Sequence, residues 1–481
     1  MRSVILALAA AVLLVLGFPP FSQAWLVPIA LALFLWMVRT ARHPFLLGTL
    51  FGWAFFAGLI WWVGKLGFIA VAPLVGVFGI YPGVYAWLVA KAQSDATFAA
   101  AAVGGWAALE AVRVRFPVGG FEWGLTGYPM GEYAITRSAA DLIGTSGWGV
   151  LLMFWAVGLV LAVKGHWKPL AVAIGTIVAV LIAAALIPDR ARGNAVPVAI
   201  VQGSTPCPLT HCFNERRATY EMHLALTRTI PATSVDLVVW PEGSTGGFDA
   251  DPVLNSDVQE AISAEAERTQ AAFLVGGDRP VSDTHWINAV VVWDSDGEVA
   301  LVEYRKRHPV PFGEYIPARP LFDWIPALSQ VPRDMIPGVG ARVFDFDFGR
   351  VGTVISFEAA FARYGRDEAM IGAQLLVVAS NEGSYEFTPV SDQFIGMTRM
   401  RAAELGLDVV HAAVSGKSTF ITDGGVIGET TEFLDETVLT ADVRLATGLP
   451  TFYTRWGEWV QAVAVVAGAA GLRRHRLSVR R

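Results

Sequence analysis

Three polar positions each close an apolar run or sit in a rigid turn, and each is a residue type that does chemistry. Glu242 ends Asp236-Leu-Val-Val-Trp-Pro-Glu242. An acid directly after a buried strand lies at the carboxyl edge of a sheet, where ligands often bind in α/β folds. Partial burial disfavours a charged carboxylate and makes it a better proton acceptor, which is the property of a general base. Read alone, a helix N-cap or a surface acid is the simpler account. Lys306 lies in Tyr304-Arg-Lys-Arg-His-Pro-Val-Pro-Phe-Gly-Glu314-Tyr-Ile-Pro317. An ammonium held in such a loop can stabilise a developing oxyanion; the other reading is a basic loop facing anionic lipid. Glu314 either orients that lysine or is a solvated loop residue. Ser356 ends Val351-Gly-Thr-Val-Ile-Ser356-Phe-Glu358, a hydroxyl at a strand end beside an acid. Alone it reads as a structural serine. Asn381, after Leu375–Ser380, has the same placement and the same bland reading.

Other chemistries lack their residues. There is no G-x-S-x-G elbow, no G-x-x-x-x-G-K-[ST] and no H-E-x-x-H. His211 and His223 stand outside any Cys/His cluster, which argues against a metal site. Two cysteines are too few for a disulfide scaffold or a four-cysteine zinc site. A net charge of -6 gives no global basic field for nucleic acid.

The elements that must position these groups fall into two kinds. Charged residues are 16% of the 481, against about 25% in ordinary soluble domains. AVILMFWYC residues make up 54%, which excludes a disordered or wholly soluble chain. The apolar excess lies in residues 1–188 and near the end. Seven spans are predicted at about 3–18, 24–38, 45–63, 67–90, 96–112, 148–163 and 169–187, and an eighth at about 456–472. A signal peptide is rejected for the first, because Arg2 is the only charge before it and no small-residue cleavage site follows. Arg473, Arg474, Arg476, Arg480 and Arg481 follow the eighth as a stop. With the N-terminus inside, inner segments carry 11 Lys/Arg and outer flanks 7, which orients the chain moderately. Trp61, Trp62, Trp123 and Trp148 fall near predicted span ends and read as an interfacial aromatic belt.

Residues 193–453 instead alternate short β-branched runs with polar helical stretches. The runs are Val196–Val201, Asp236–Trp240, Phe273–Gly276, Ala289–Trp293, Val351–Ile355, Leu375–Ala379 and Val409–Ala413. Such alternation predicts an α/β domain with buried strands. Periodicity leaves open whether it is a Rossmann-like sheet or a sandwich. The expected organisation is a helical membrane domain over 1–192, an α/β domain over 193–453 on the outer face, and a final span with a basic cytoplasmic tail over 454–481.

Taken together, these segments resemble the bacterial apolipoprotein N-acyltransferases of the nitrilase superfamily. The resemblance rests on Trp240-Pro-Glu242, Tyr304-x-Lys306-x-His-x-Val-Pro-Phe-Gly-Glu314 and Ile355-Ser-Phe-Glu358. It extends to Met400-Arg-Ala-x-Glu404, Ser415-Gly416, Phe452-Tyr-x-Arg455-x-Gly457 and, in the membrane part, Gly120-Phe-x-Trp123-x-x-x-Gly127-Tyr128. It implies a multi-pass helical domain of about eight spans plus a nitrilase-like αββα sandwich, in the bacterial inner membrane with the sandwich on the extracytoplasmic face. It places the family's catalytic Glu at Glu242, its Lys at Lys306 and its nucleophile at Ser356, with Glu314 and Glu358 in support. The implied reaction moves an acyl chain from a phospholipid, through an enzyme intermediate, to the α-amino group of a diacylated lipoprotein cysteine. No metal or organic cofactor is implied.

Two departures from the family pattern stand out. Ser356 occupies the place of the nucleophilic cysteine, and neither Cys207 nor Cys212 replaces it, since the family fold puts both in an early loop. A thiol presents a few per cent thiolate at neutral pH, whereas a serine hydroxyl does not ionise there. Asn381-Glu-Gly-Ser-Tyr385 stands where the family has Asn-Asp-Ala-Trp-Phe, altering an aromatic pair near the acyl site. An active acyltransferase, a catalytically silent paralogue that binds lipid or lipoprotein, and an outer-face carbon-nitrogen hydrolase all remain open at this point. So do a Cys207–Cys212 disulfide and two free thiols.

Overall fold

Each apolar stretch folds as a helix. The computed structural model describes residues 1–207, 212–300, 302–322 and 324–479; His211, Arg480 and Arg481 lie outside these. The chain forms two units, Met1–Pro188 with Thr451–Arg481, and Asp189–Pro450.

In the first unit the predicted spans fall on helices Arg2–Leu16, Leu26–Thr40, Pro44–Leu59, Phe68–Val89, Asp95–Arg113, Ala140–Ala162, Lys168–Leu186 and Trp459–Val479. Three of them, Phe68–Val89, Ala140–Ala162 and Lys168–Leu186, are long and apolar enough to cross a bilayer. Arg2–Leu16, Leu26–Thr40, Pro44–Leu59 and Trp459–Arg473 are apolar but shorter. Helix Asp95–Arg113 starts at a reciprocal cap: Thr97 N donates to Ser94 Oγ at 3.2 Å, and Ser94 N to Thr97 Oγ1 at 3.0 Å. It crosses the last helix where glycine faces glycine, since a Cβ on Gly104 would lie 2.8 Å from Gly468 Cα. Small residues at a crossing let apolar helices approach closely.

Helix Asp95–Arg113 also holds the Gly120–Tyr128 motif. Glu110 accepts Thr126 N and Thr126 Oγ1 at 3.1 and 3.0 Å, and Arg113 donates to the Phe121 and Trp123 carbonyls at 2.8 and 2.6 Å. Residues 121–130 are all buried. Irregular backbone inside an apolar bundle needs partners of this kind.

The aromatic-belt expectation is corrected here. Trp61 is half exposed, but Trp62, Trp123 and Trp148 are buried. Trp62 packs on Trp123 with ring centroids 5.1 Å apart, and Trp148 Nε1 donates to the Thr136 carbonyl at 2.9 Å. Position along a span sets depth, not which side of the helix a ring faces.

The second unit contains β1 (Arg192–Gln202), β2 (Leu237–Gly246), β3 (Ala272–Pro280), β4 (His285–Trp293), β5 (Tyr304–Arg305), β6 (Asp334–Met335), β7 (Val343–Phe346), β8 (Gly349–Ile355), β9 (Leu375–Ser380), β10 (Asp408–Ala413), β11 (Thr419–Thr422), β12 (Val426–Thr430) and β13 (Thr437–Ala446). One sheet runs β13-β1-β2-β3-β4-β5, with β6 on β4; the other runs β12-β11-β10-β9-β8-β7. The centre of each is parallel, β1-β2-β3 and β8-β9-β10, and its flanks are antiparallel apart from β6, which runs parallel to β4. All seven predicted runs lie on strands, except that Asp236 falls one residue before β2.

Period-two alternation builds the layers. Val198, Ile200, Val239 and Leu274 of the first sheet face Val351, Leu375, Val377 and Val410 of the second. On the outer side, Ala199, Val201, Val238 and Phe273 pack under helices Glu215–Thr227 and Ser256–Thr269 through Tyr220, Leu224, Val258 and Ile262. Over the second sheet, helix Ala362–Met370 places Gly365 against Leu376 and Leu405. The sandwich arrangement left open by periodicity is therefore the αββα one. Cys207 and Cys212 are joined by a disulfide, their Cα atoms 6.1 Å apart.

A buried imidazole gives this unit an acid-sensitive joint. His223 Nδ1 donates to the Thr219 carbonyl at 2.7 Å and Nε2 accepts Gly203 N at 3.1 Å, so the neutral ring is fully satisfied. Burial pushes its pKa down to about 4, against the weaker upward pull of the Thr219 carbonyl. The unfolded chain binds this proton below pH ~6.5, so stability is lost as pH falls from there towards 4. Thermal melts of the wild type and His223→Gln between pH 7 and 4.5 should show the wild type losing more of its Tm; parallel losses would contradict this.

Candidate active site

Glu242 is aimed by a break in the β2–β3 ladder. Pairing runs from Leu237↔Ala272 to Trp240↔Val275 and resumes at Thr245↔Gly277, so residues 241–244 stand opposite Gly276 alone. Pro241 has no N–H to give the ladder, and Gly243 takes φ +76. The bulge needs a glycine across from it, because a Cβ on Gly276 would lie 2.8 Å from Glu242 Cα and nearer still to the Pro241 carbonyl. Gly276→Ala should therefore displace Glu242, cutting turnover about tenfold or more and costing roughly 1–3 kcal/mol of stability. Wild-type kcat in that variant would contradict the account.

The strand bulge delivers Glu242 to Lys306. The lysine follows β5 and is 1% exposed. Its Nζ donates to Glu242 Oε1 at 3.0 Å and to Glu314 Oε1 at 2.5 Å. Backbone bonds fix the loop: Lys306 N donates to the Asn288 carbonyl at 2.9 Å, and Gly338 N to the Lys306 carbonyl at 2.8 Å. Glu314 is fixed in turn by Val310 N, at 2.7 Å from its Oε2. Burial alone would push Lys306 down, but Glu242 and Glu314 outweigh it and hold the ammonium above the ordinary lysine range. Burial raises Glu314, with Lys306 pulling back and Glu242 adding to the rise. One cation thus lies between two carboxyl groups. The same lysine that can face an oxyanion therefore also sits beside proton acceptors.

Ser356 follows the last residue of β8 and opens a short 3₁₀ turn, Ser356–Ala360. Its φ is +49, a left-handed conformation that costs a non-glycine residue energy and recurs at functional turns. The side chain is half buried. Among the described residues its hydroxyl bonds neither Glu242 nor Lys306. What ties its turn to the lysine loop is Glu358. That carboxylate accepts Ile355 N at 2.8 Å and Tyr304 Oη at 2.7 Å on one oxygen, and Arg307 N at 2.5 Å and His308 N at 3.1 Å on the other. Glu358 thus acts through three backbone N–H groups and the Tyr304 hydroxyl, with no hydrogen bond to Lys306 among the described residues. Asn381 is exposed and accepts Gly383 N at 2.9 Å; its amide lies 2.9 Å from where a Cβ on Gly243 would stand, beside Glu242.

Three residues were assigned no role from the sequence, although Tyr304 and Tyr385 lay within quoted segments. Asn288 donates through Nδ2 to Glu242 Oε1 at 2.6 Å; a polar residue inside the apolar run His285–Trp293 was its signal. Tyr304 braces Glu358. Tyr385, in the altered aromatic segment, is pushed up to about 12 by burial and by Glu314, against Lys306. His308 lies two residues after the lysine, but burial, with Arg363 and Lys306, pushes it down to about 3. An imidazole so depressed is a poor proton acceptor. No cluster of three or more His, Cys, Asp or Glu among the described residues is placed to hold a metal.

Residues 10–158 match the family described as apolipoprotein N-acyltransferase N-terminal domain, and residues 197–450 match carbon-nitrogen hydrolase. The chain is 28% identical to an apolipoprotein N-acyltransferase from Geobacter metallireducens, over 98% of this chain and 94% of the relative. The chain belongs to the apolipoprotein N-acyltransferase family. A relative of the same name from Photobacterium profundum is 26% identical over 95% of this chain and 91% of its own. One from Mycolicibacterium smegmatis is 34% identical over 58% of this chain and 48% of its own. Among solved structures, a nitrilase-superfamily amidase from Nesterenkonia AN1 is 17% identical over 55% of this chain and 95% of that chain, with a TM-score of 0.41, a likeness that bears on neither site nor reaction. As an apolipoprotein N-acyltransferase family member, the chain joins an apolar helical unit to a carbon-nitrogen hydrolase sandwich that carries the Glu242–Lys306–Glu314 cluster.

Proposed function

We propose that this protein transfers an acyl chain from a membrane phospholipid to the N-terminal amine of a diacylglyceryl-cysteine lipoprotein, with Ser356 as the acyl carrier. The observation that carries the reading is Lys306, buried and charged between Glu242 and Glu314. In the first half, the Ser356 hydroxyl attacks the lipid ester carbonyl while its proton passes to Glu242. Lys306 stabilises the oxyanion of the tetrahedral intermediate. Collapse expels the lysophospholipid alkoxide, which takes the proton back from Glu242 and leaves an acyl-serine ester. In the second half the lipoprotein amine attacks that ester, gives its proton to Glu242, and the returning proton restores Ser356. Glu314 holds the lysine in place, and Glu358 holds the two reacting segments together.

We place the protein in the bacterial inner membrane as a multi-pass chain of about eight spans, with the sandwich on the extracytoplasmic face. The Lys/Arg asymmetry of the loops supports that orientation, and so does the Cys207–Cys212 disulfide, since such bonds persist in oxidising compartments. The silent-paralogue and hydrolase readings are not favoured, because the relatives matched over nearly the whole chain carry the N-acyltransferase name. Purified protein given phosphatidylethanolamine and a diacylated lipopeptide should yield triacylated peptide; lysolipid and free fatty acid without peptide product would instead indicate a hydrolase.

A further inference from the structure

Asn288 stands in β4, where every residue from Ile287 to Trp293 is buried. Its carbonyl accepts Lys306 N at 2.9 Å, and its Nδ2 donates to Glu242 Oε1 at 2.6 Å. One residue thereby touches both members of the ion pair. Its remaining atom, Oδ1, is buried without a partner. The amide has one orientation here, because turning it over would set Oδ1 against the carboxylate. A buried acceptor left unsatisfied costs stability that an apolar side chain would not. Its neighbours Ile287, Ala289 and Val290 show what this strand otherwise takes. Core packing therefore does not account for an asparagine.

The two oxygens of Glu242 explain it. Oε1 takes both Asn288 Nδ2 and Lys306 Nζ, at 2.6 and 3.0 Å. Oε2 accepts no hydrogen bond among the described residues. We infer that Asn288 is a positioning residue that, together with Lys306, commits Oε1 and leaves Oε2 as the single oxygen that takes and returns the nucleophile's proton. This rests on the transfer reading above. The proton leaves Ser356 Oγ for Oε2 as the C–O bond forms, and leaves Oε2 for the departing alkoxide as the lipid ester bond breaks. Without Asn288 the carboxylate can rotate, and either oxygen can turn away from the serine.

The test uses the full-length protein with phosphatidylethanolamine as donor and a diacylated lipopeptide as acceptor. Asn288→Ala should lower kcat roughly 10–100-fold, the scale of a general base lost from register, with KM within about twofold. Asn288→Asp sets a second carboxylate against Oε1 and should move the acidic limb of the pH–rate profile upward. Wild-type kcat and an unmoved limb in both variants would overturn the inference, as would losses confined to KM. If the wild type transfers nothing, the transfer reading has failed, and Asn288 is read separately. The Glu242 carboxyl is then titrated by infrared difference between each background and its Glu242→Gln form. An upward midpoint in Asn288→Asp sustains the positioning role, and an unchanged one ends it. Folding of each variant is checked by its melt.

Discussion

Ser356→Ala should abolish acyl transfer, by about 10³-fold or more, while leaving the melt of the protein close to wild type. The side chain makes no hydrogen bond among the described residues, so its removal takes away only the acceptor of the acyl group. A smaller loss would mean that lipid and amine react directly. The informative partner is Ser356→Cys. At neutral pH a thiol already supplies a few per cent of its thiolate, while serine must lose its proton within the attack itself. A carboxylate is a weak partner for that proton, and His308 does not compensate, since its imidazole is held down to about 3. A thioester is also more reactive towards an amine than an ester. Ser356→Cys should therefore exceed the wild-type rate by about tenfold or more, and its rate should depend less on Glu242. A cysteine variant slower than the serine enzyme would show that the site has been rebuilt around the hydroxyl.

The second large effect belongs to Lys306→Met. The substitution keeps most of the stem and removes the charge. Loss of an oxyanion stabiliser lowers kcat about 10²–10³-fold. Stability should fall as well, by roughly 3–5 kcal/mol, because removing one partner of a buried ion pair leaves charge uncompensated. Here two carboxylates lose their counter-ion at once. The pH dependence gives the sign. Glu314 is already raised by burial, and without the ammonium it rises further. A carboxyl whose folded pKa exceeds its unfolded one binds more protons when folded, so the variant loses stability as pH rises through that range. Denaturant melts of Lys306→Met from pH 5 to 8 should therefore weaken steadily. A flat profile, or kcat within tenfold of wild type, would remove Lys306 from the centre of the mechanism.

How much of this was legible in the sequence follows from burial. The seven runs read as strands are central, covered on both faces, and so written as continuous apolar stretches. The flanking strands are not. β5 and β6 are two residues each, β12 is largely exposed, and β13 carries Asp442 and Arg444 between its buried positions. The site was legible where a charged residue closed a strand, as at Glu242, or sat among prolines and glycines, as at Lys306. It was not legible where a polar residue hid inside an apolar run, as at Asn288. The left-handed backbone of Ser356 and the four-donor hub at Glu358 are consequences of folding, and no spacing announces them. The tryptophans fail for a related reason, since facing is set by packing partners far away in sequence.

The central claim is that Ser356 carries the acyl chain, and mass spectrometry of the intact protein tests it most directly. After incubation with phosphatidylethanolamine and no acceptor, the wild type should gain one acyl mass on the peptide containing Ser356. That mass should disappear on addition of the diacylated lipopeptide and be absent from Ser356→Ala. An unmodified Ser356 in a preparation that still acylates the peptide would contradict it.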